Sequence, residues 1–201
     1  MVNIGIFGGT FDPPHVGHLM LVEQVRSQLN LDEVWFIPSN EPPHKHAARA
    51  SVEERLQMVE RAIKNNPSFR LNTIEVKREG KSYTIDTIKS LKAAFPNDQF
   101  FFIIGADEVA YLPKWHRIDE LAKLIQFVGV KRSGYSLETS YPVSIVNILG
   151  VDISSSAIRD RIANGQSVKY LVPDAVEDFI KERNIYGYRN SQVDRKTPAD
   201  E

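Results

Sequence analysis

The sequence predicts an α/β fold, with a parallel sheet covered by helices on both faces. Two observations carry this. Short apolar runs rich in Val, Ile and Phe alternate with segments whose apolar residues recur at helical spacing. The unusual polar clusters fall directly after the apolar runs, at the carboxyl ends of the strands, where sheets of this class bind ligands.

The elements read as follows. Val2 to Phe7 is an apolar run followed by Gly8-Gly9, the form of a buried strand ending in a tight turn. After Pro13-Pro14, the residues Leu19, Val22, Val25 and Leu29 mark a helix. Glu33 to Pro38 reads as the second strand, with Trp35 in the core. Ser51-Val52-Glu53-Glu54 is a capping box, and the helix that it opens carries Leu56, Val59 and Ile63 on one face. Phe69 to Val76 alternates like a strand, and a helix from Thr84 to Phe95 is stopped by Pro96. Phe100 to Ile104 and Gln126 to Lys131 are further strands, separated by a helical stretch around Leu121. Val143 to Leu149 reads as the last strand. A short helix follows Ser154-Ser155-Ser156 through Ile158 and Ile162, and Pro173 opens a final helix with Val176, Phe179 and Ile180 as its apolar face. No internal repeat or linker interrupts this order, so residues 1–189 read as one domain. Residues 190–201 are polar, lack apolar periodicity and read as a disordered tail.

Composition excludes several classes of function. A formal net charge of -1 argues against a polyanion-binding surface, and so against a nucleic acid polymer as partner. The absence of cysteine excludes disulfides, thiol nucleophiles and cysteine-ligated zinc, and fits a reducing cytoplasm. The start Met1-Val2-Asn3 lacks the basic region of a signal peptide. The most apolar run, Phe100 to Ala106, is too short to span a membrane, so no membrane partner is expected.

The most informative stretch runs from Gly8 to Leu19, Gly-Gly-Thr-Phe-Asp-Pro-Pro-His-Val-Gly-His-Leu. Glycines permit a sharp turn and a close approach of backbone to ligand. With a helix beginning near Val16, His15 and His18 both project from its first turn, where unpaired N–H groups and the positive dipole end suit a triphosphate. The pattern is neither a Walker A loop nor a dinucleotide fingerprint. The bland alternative is helix capping by satisfied core histidines. A metal site is disfavoured, because no third ligand stands at metal spacing.

This stretch resembles the H-x-G-H signature of the nucleotidylyltransferase superfamily, and its longer form looks like the nicotinate mononucleotide adenylyltransferase family. Ile153-Ser154-Ser155-Ser156-Ala157-Ile158-Arg159 resembles the second superfamily motif; its plain alternative is a serine N-cap followed by an exposed arginine. The resemblance implies a Rossmann-like doubly wound sheet with a small C-terminal helical part. It also implies that Gly8, Gly9, Thr10, Phe11, His15, His18, Gly105, Asp107, Ser155, Ser156 and Arg159 bind ATP. Asp107 has a helix N-cap as its alternative, and Arg161 reads as surface.

For the acceptor, Pro42-Pro43-His44-Lys45 and the preceding Ser39 and Asn40 match a further family pattern, with Lys45 near the phosphates or else a solvated loop lysine. Tyr83 and Thr84 open a helix whose N–H groups suit a nicotinate carboxylate. Tyr111 and Trp115 offer rings to a pyridine, with partial burial as the alternative for Trp115. The implied reaction moves AMP from ATP to nicotinate mononucleotide by in-line attack without a covalent intermediate. His15, His18, Lys45 and Arg159 would be its charge-stabilising groups, and Mg²⁺ would ride on ATP phosphates and water. Relatives often form dimers, so a homodimer is compatible with the resemblance. Rival readings are a sister enzyme such as phosphopantetheine adenylyltransferase, a non-catalytic nucleotide sensor and a tRNA-binding synthetase fragment.

Overall fold

A computed structural model describes residues 1–40, 48–78, 83–131 and 139–188, without the side chains of residues 106 and 107. Six parallel strands form one sheet: β1 (Asn3–Gly9), β2 (Glu33–Pro38), β3 (Phe69–Leu71), β4 (Gln99–Gly105), β5 (Gln126–Lys131) and β6 (Val143–Asn147). Their spatial order is β3-β2-β1-β4-β5-β6. The chain builds outward from β1 in one direction and then crosses to β4 on its other side. The switch in winding therefore lies between β1 and β4, where doubly wound sheets bind ligands.

Alternation along the strands divides the core. Ile4, Ile6, Trp35, Ile37, Phe100, Phe102 and Ile104 face one side. They pack on Ile85, Ile88 and Leu91 of α3 (Thr84–Ala94) and on Ile118 and Leu121 of α5 (Ile118–Leu124). The intervening residues Phe7, Val34, Phe36, Ile103 and Val128 face the other side. There they meet Leu21, Val22 and Val25 of α1 (Val16–Gln28) and Val59 and Ile63 of α2 (Val52–Ile63). Burial on both faces explains why these strands read as continuous apolar runs rather than clean alternations. Between β4 and α5 lies the short helix α4 (Ala106–Tyr111).

A third cluster joins Met58 of α2 to Ile158 and Ile162 of α6 (Ser155–Ala163) and to Val176, Phe179 and Ile180 of α7 (Asp174–Glu182). This is the small C-terminal helical part. Helix α2 packs on the sheet with one flank and on this cluster with another. Its buried residues are Arg55, Met58, Val59 and Ile63, so the expected face of Leu56, Val59 and Ile63 is corrected: Leu56 is only half-buried, and an arginine takes a core position. The Ser51 capping box is present, with Ser51 Oγ accepting from Glu54 N at 3.2 Å and Ser51 N donating to Glu54 Oε2 at 2.8 Å.

Local chemistry sets the element ends. Helix α1 closes in a Schellman motif: Asn30 is left-handed at φ 51°, Leu31 N donates to Arg26 O and Asn30 N donates to Ser27 O. Helix α6 closes the same way on Gly165, at φ 68°. The third strand is shorter than the expected Phe69 to Val76. Asn72 Oδ1 accepts from Ile74 N at 3.0 Å, an Asx turn that bends the chain out of the sheet. The last strand likewise stops at Asn147. Among the described residues, no helix is long and apolar enough to cross a membrane. The tail at residues 190–201 lies outside the described residues.

Gly5 of β1 sits at a tight point of the sheet. A Cβ there would stand 2.9 Å from Ile103 Cδ1, 3.0 Å from Leu31 Cδ1 and 3.2 Å from Val34 Cγ2. Gly5→Ala is expected to destabilise the chain by about 1–3 kcal/mol through overpacking. Urea denaturation checks this: the midpoint falls with an unchanged slope.

Candidate active site

Ladder pairing between β1 and β4 runs from Asn3–Gln99 to Ile6–Phe102, yet β1 continues to Gly9 and β4 to Gly105. The two strands part over their last residues and open a crevice at the switch point. Gly8 and Gly9 remain in the strand, paired with Ile37 and Pro38. The expected tight turn at the glycines is therefore corrected. The chain turns at Phe11, in the left-handed region at φ 52°. A Cβ on Gly9 would meet the Phe11 ring at 3.0 Å, so glycine is needed for that ring to fold back rather than for the turn. The Phe11 ring is buried against Phe7, His18 and Phe36, which leaves its backbone as the part able to meet a ligand.

His15 and His18 form a reciprocal cap at the start of α1. His15 Nδ1 accepts from His18 N at 3.3 Å, and His18 Nδ1 accepts from His15 N at 3.2 Å. The rings stack at 3.6 Å between centroids. The capping alternative thus describes real bonds, but it does not exhaust the pair. With both Nδ1 atoms accepting, each neutral ring carries its proton on Nε2, which makes the outer nitrogen a donor. His15 is buried and His18 half-buried.

At the head of α6, Ser154 is the N-cap, its Oγ accepting from Ala157 N at 3.2 Å. Ser155 Oγ donates to Pro13 O at 2.8 Å. Arg159 is not the exposed arginine of the plain alternative. Its Nη1 donates to Asp12 O at 2.7 Å and lies 3.7 Å from Asp12 Oδ2, while its Nη2 donates to Ser156 Oγ at 3.1 Å. Its Nε is buried without a partner among the described residues. The helix starts of α1 and α6 thus converge on one loop, Thr10 to Pro14.

Three residues that sequence reasoning left without a role complete this site. Asp12 is buried, and its carboxylate accepts from Arg49 N at 2.8 Å, Ala50 N at 3.1 Å and Tyr186 Oη at 2.8 Å. Arg55 is buried and donates to Thr10 O at 2.7 Å and Ser39 O at 2.9 Å. Burial lowers the guanidinium pKa of Arg55, opposed by Asp12 and Tyr186. Burial raises the Tyr186 phenol well above its ordinary value, and Asp12 adds to the rise. An arginine in the apolar stripe of α2 was a readable signal; Tyr186 carries none.

On the acceptor side, Ser39 N donates to Gly9 O at 2.9 Å, which fixes the exit of β2 beside that of β1. Asn40 Nδ2 donates to Arg78 O at 3.2 Å, and Arg78 Nη2 donates to Thr87 Oγ1 at 2.8 Å, so the loop is tied to α3. Tyr83 is the N-cap residue of α3, directly before Thr84, and its ring meets His116 at 4.5 Å. Trp115 is half-buried, edge-on to Phe102 at 5.7 Å and Phe127 at 6.1 Å. Tyr111 is exposed, with Lys114 Nζ 4.4 Å over its ring. Gly105, not Asp107, is the N-cap of α4, which corrects that alternative. Lys45, with Pro42, Pro43 and His44, lies outside the described residues, as does the side chain of Asp107. Arg161 is exposed and donates to Ser167 O at 2.9 Å.

Comparison with known proteins places this arrangement. Residues 6–161 match the model of the cytidylyltransferase-like family. The chain is 55% identical to the probable nicotinate-nucleotide adenylyltransferase of Geobacillus kaustophilus, covering 100% of this chain and 93% of that protein. It is 49% identical to the nicotinate-nucleotide adenylyltransferase of Bacillus subtilis, covering 92% of this chain and 99% of that protein. The Plasmodium falciparum nicotinic acid mononucleotide adenylyltransferase complexed with NaAD shares the fold, with a TM-score of 0.81 at 22% identity over 94% of this chain and 99% of that one. A parted β1–β4 crevice, two helix starts aimed at one loop and this degree of identity along the whole length together lead to one conclusion: the chain belongs to the nicotinate-nucleotide adenylyltransferase family, within the cytidylyltransferase-like proteins.

Proposed function

We propose that the chain transfers AMP from ATP to nicotinate mononucleotide, giving nicotinate adenine dinucleotide and pyrophosphate, within one domain spanning residues 1–189. The observation that carries this reading is the convergence of the α1 and α6 starts, with His18 and Arg159, on the Thr10 to Pro14 loop beside the crevice. The names of relatives about half identical along the whole chain support the same acceptor over that of a sister transferase.

The chemistry needs little from the protein beyond placement and charge. A phosphate monoester has a second pKa of about 6, so the acceptor is already a nucleophile at neutral pH and no general base is required. One of its oxygens attacks the α-phosphorus of ATP. The new O–P bond forms opposite the breaking bond to the bridging oxygen, and pyrophosphate leaves with that electron pair. The Nε2–H groups of His15 and His18, the Arg159 guanidinium and the N–H groups at the two helix starts stabilise the charge on the phosphates. Lys45 joins them from the acceptor loop. Gly8, Gly9, Thr10 and the backbone of Phe11 border the adenosine side with Gly105 and Asp107, and Ser155 and Ser156 border the phosphates. Ser39, Asn40, Tyr83, Thr84, Tyr111 and Trp115 take the nicotinate nucleotide. Mg²⁺ would ride on the ATP phosphates and water and would neutralise charge there. Among the described residues, no three His, Asp or Glu side chains gather to hold a metal.

The direct test is pyrophosphate release with ATP and Mg²⁺, comparing nicotinate with nicotinamide mononucleotide. A strong preference for the nicotinate form is expected; turnover with neither would move the chain to another acceptor or to a silent binding role. His18→Gln keeps an acceptor at the third helical position, as capping boxes do. It is expected to lower kcat by about 100-fold while stability changes by less than about 1 kcal/mol. Steady-state kinetics beside thermal unfolding check this, and near-native turnover would remove His18 from the reaction. Trp115→Ala is expected to raise KM for the acceptor with little change in KM for ATP; equal damage to both would argue against stacking.

A further inference from the structure

We propose that Tyr186 is a positioning residue for Arg159, acting through the Asp12 carboxylate, so that the C-terminal helical part sets the geometry of the phosphate site. This rests on the reading that Arg159 meets the phosphates of ATP.

Tyr186 and Asp12 are 174 positions apart in the chain, yet the phenol donates to Asp12 Oδ1 at 2.8 Å. That oxygen also receives Ala50 N, and Oδ2 receives Arg49 N while facing Arg159 Nη1 at 3.7 Å. The carboxylate is therefore held from both sides, by three donors from two separate segments, with the Arg159 charge beside it. Two of the described contacts of the Arg159 guanidinium are on this one residue, the Asp12 carbonyl and the Asp12 carboxylate. Removing the hydroxyl leaves Oδ1 with a single donor and loosens the hold on the carboxylate from the side of the C-terminal part. Arg159 then faces a less firmly placed anion.

The local backbone supports a placed hydroxyl rather than a chance contact. Tyr186 stands in the left-handed region at φ 61°, and Asn184 does so at φ 53°. A tyrosine held there costs free energy, so the surroundings must over-determine it. The ring packs on the third hydrophobic cluster, and the hydroxyl lies 3.9 Å from Met58 Sδ besides Asp12. A phenol is protonated at neutral pH, and burial and Asp12 push its pKa further up, so the hydroxyl is a donor to Asp12. None of these residues reaches the reacting atoms. Their effect passes through Arg159.

A double-mutant cycle tests this. Tyr186→Phe keeps the ring and removes the hydroxyl. It is expected to lower kcat about tenfold in the native background, with KM for the acceptor unchanged, and less than about twofold in an Arg159→Lys background. Tyr188→Phe, a hydroxyl loss in the same segment, is expected to leave kcat unchanged. An equal factor in both backgrounds would mean that Tyr186 supports only general integrity, and no effect in the native background would mean that it supports nothing at the site; either overturns the proposal. Arg159→Lys is measured alone first. If it turns over like the native chain, the placement of Arg159 at the phosphates fails, and the proposal falls with it for a separately readable reason.

Discussion

The loop at the end of β1, buried from Phe11 to Pro14, carries carbonyl oxygens that are met by donors from elsewhere in the fold, and the rest of the site is arranged around that demand. Gly9 O receives Ser39 N, Thr10 O receives Arg55, Asp12 O receives Arg159 and Pro13 O receives Ser155 Oγ. Buried backbone acceptors left without partners are costly, so each of these bonds is a structural requirement before it is a functional one. The donors come from the exit of β2 and from α2 and α6. Satisfying one loop thus draws together segments far apart in the chain, and the cationic and hydroxyl groups of the proposed phosphate site arrive as part of the same solution.

Helix α2 shows how this is done within an otherwise apolar architecture. Met58, Val59 and Ile63 pack on two clusters, and Arg55 lies in the same buried stripe. An arginine is suited to the position because its planar fork reaches two carbonyls at once, on Thr10 and Ser39, which a lysine could not bridge in the same way. The helix therefore connects the exits of β1 and β2 to the C-terminal cluster. In this sense the third cluster is not an appendage: its helices supply Arg159, and its terminal turn supplies Tyr186.

Much of the sheet was legible in the sequence, because strands buried on both faces leave long apolar runs and because caps such as Ser51 and Pro173 leave local signatures. The two helix-start motifs were legible for the same reason. What escaped reading was the chemistry of contacts made across the fold. Nothing near Asp12 in the chain announces that its carboxylate meets Tyr186, and Arg55 hid inside a stripe read only for its apolar members. The glycines at the end of β1 were assigned to a turn because turns are the commonest use of glycine pairs. In the folded chain one of them makes room for a phenylalanine ring instead. The third strand was read too long because Asn72 turns the backbone by a side-chain bond, which periodicity does not register.

The reciprocal cap between His15 and His18 also accounts for the residue between Val16 and His18. Glycine in a helix costs about 1 kcal/mol relative to alanine, so Gly17 at the second helical position is a loss on propensity alone. A methyl group there would lie 3.0 Å from His15 Nδ1 and 3.7 Å from Ile153 Cβ. The imidazole cannot readily yield, because its Nδ1 is engaged by His18 N and its face is stacked on the other ring. The spacing of the histidines and the smallness of Gly17 between them are thus a single steric condition: the helix gives up propensity so that two rings can lie flat against each other at its mouth.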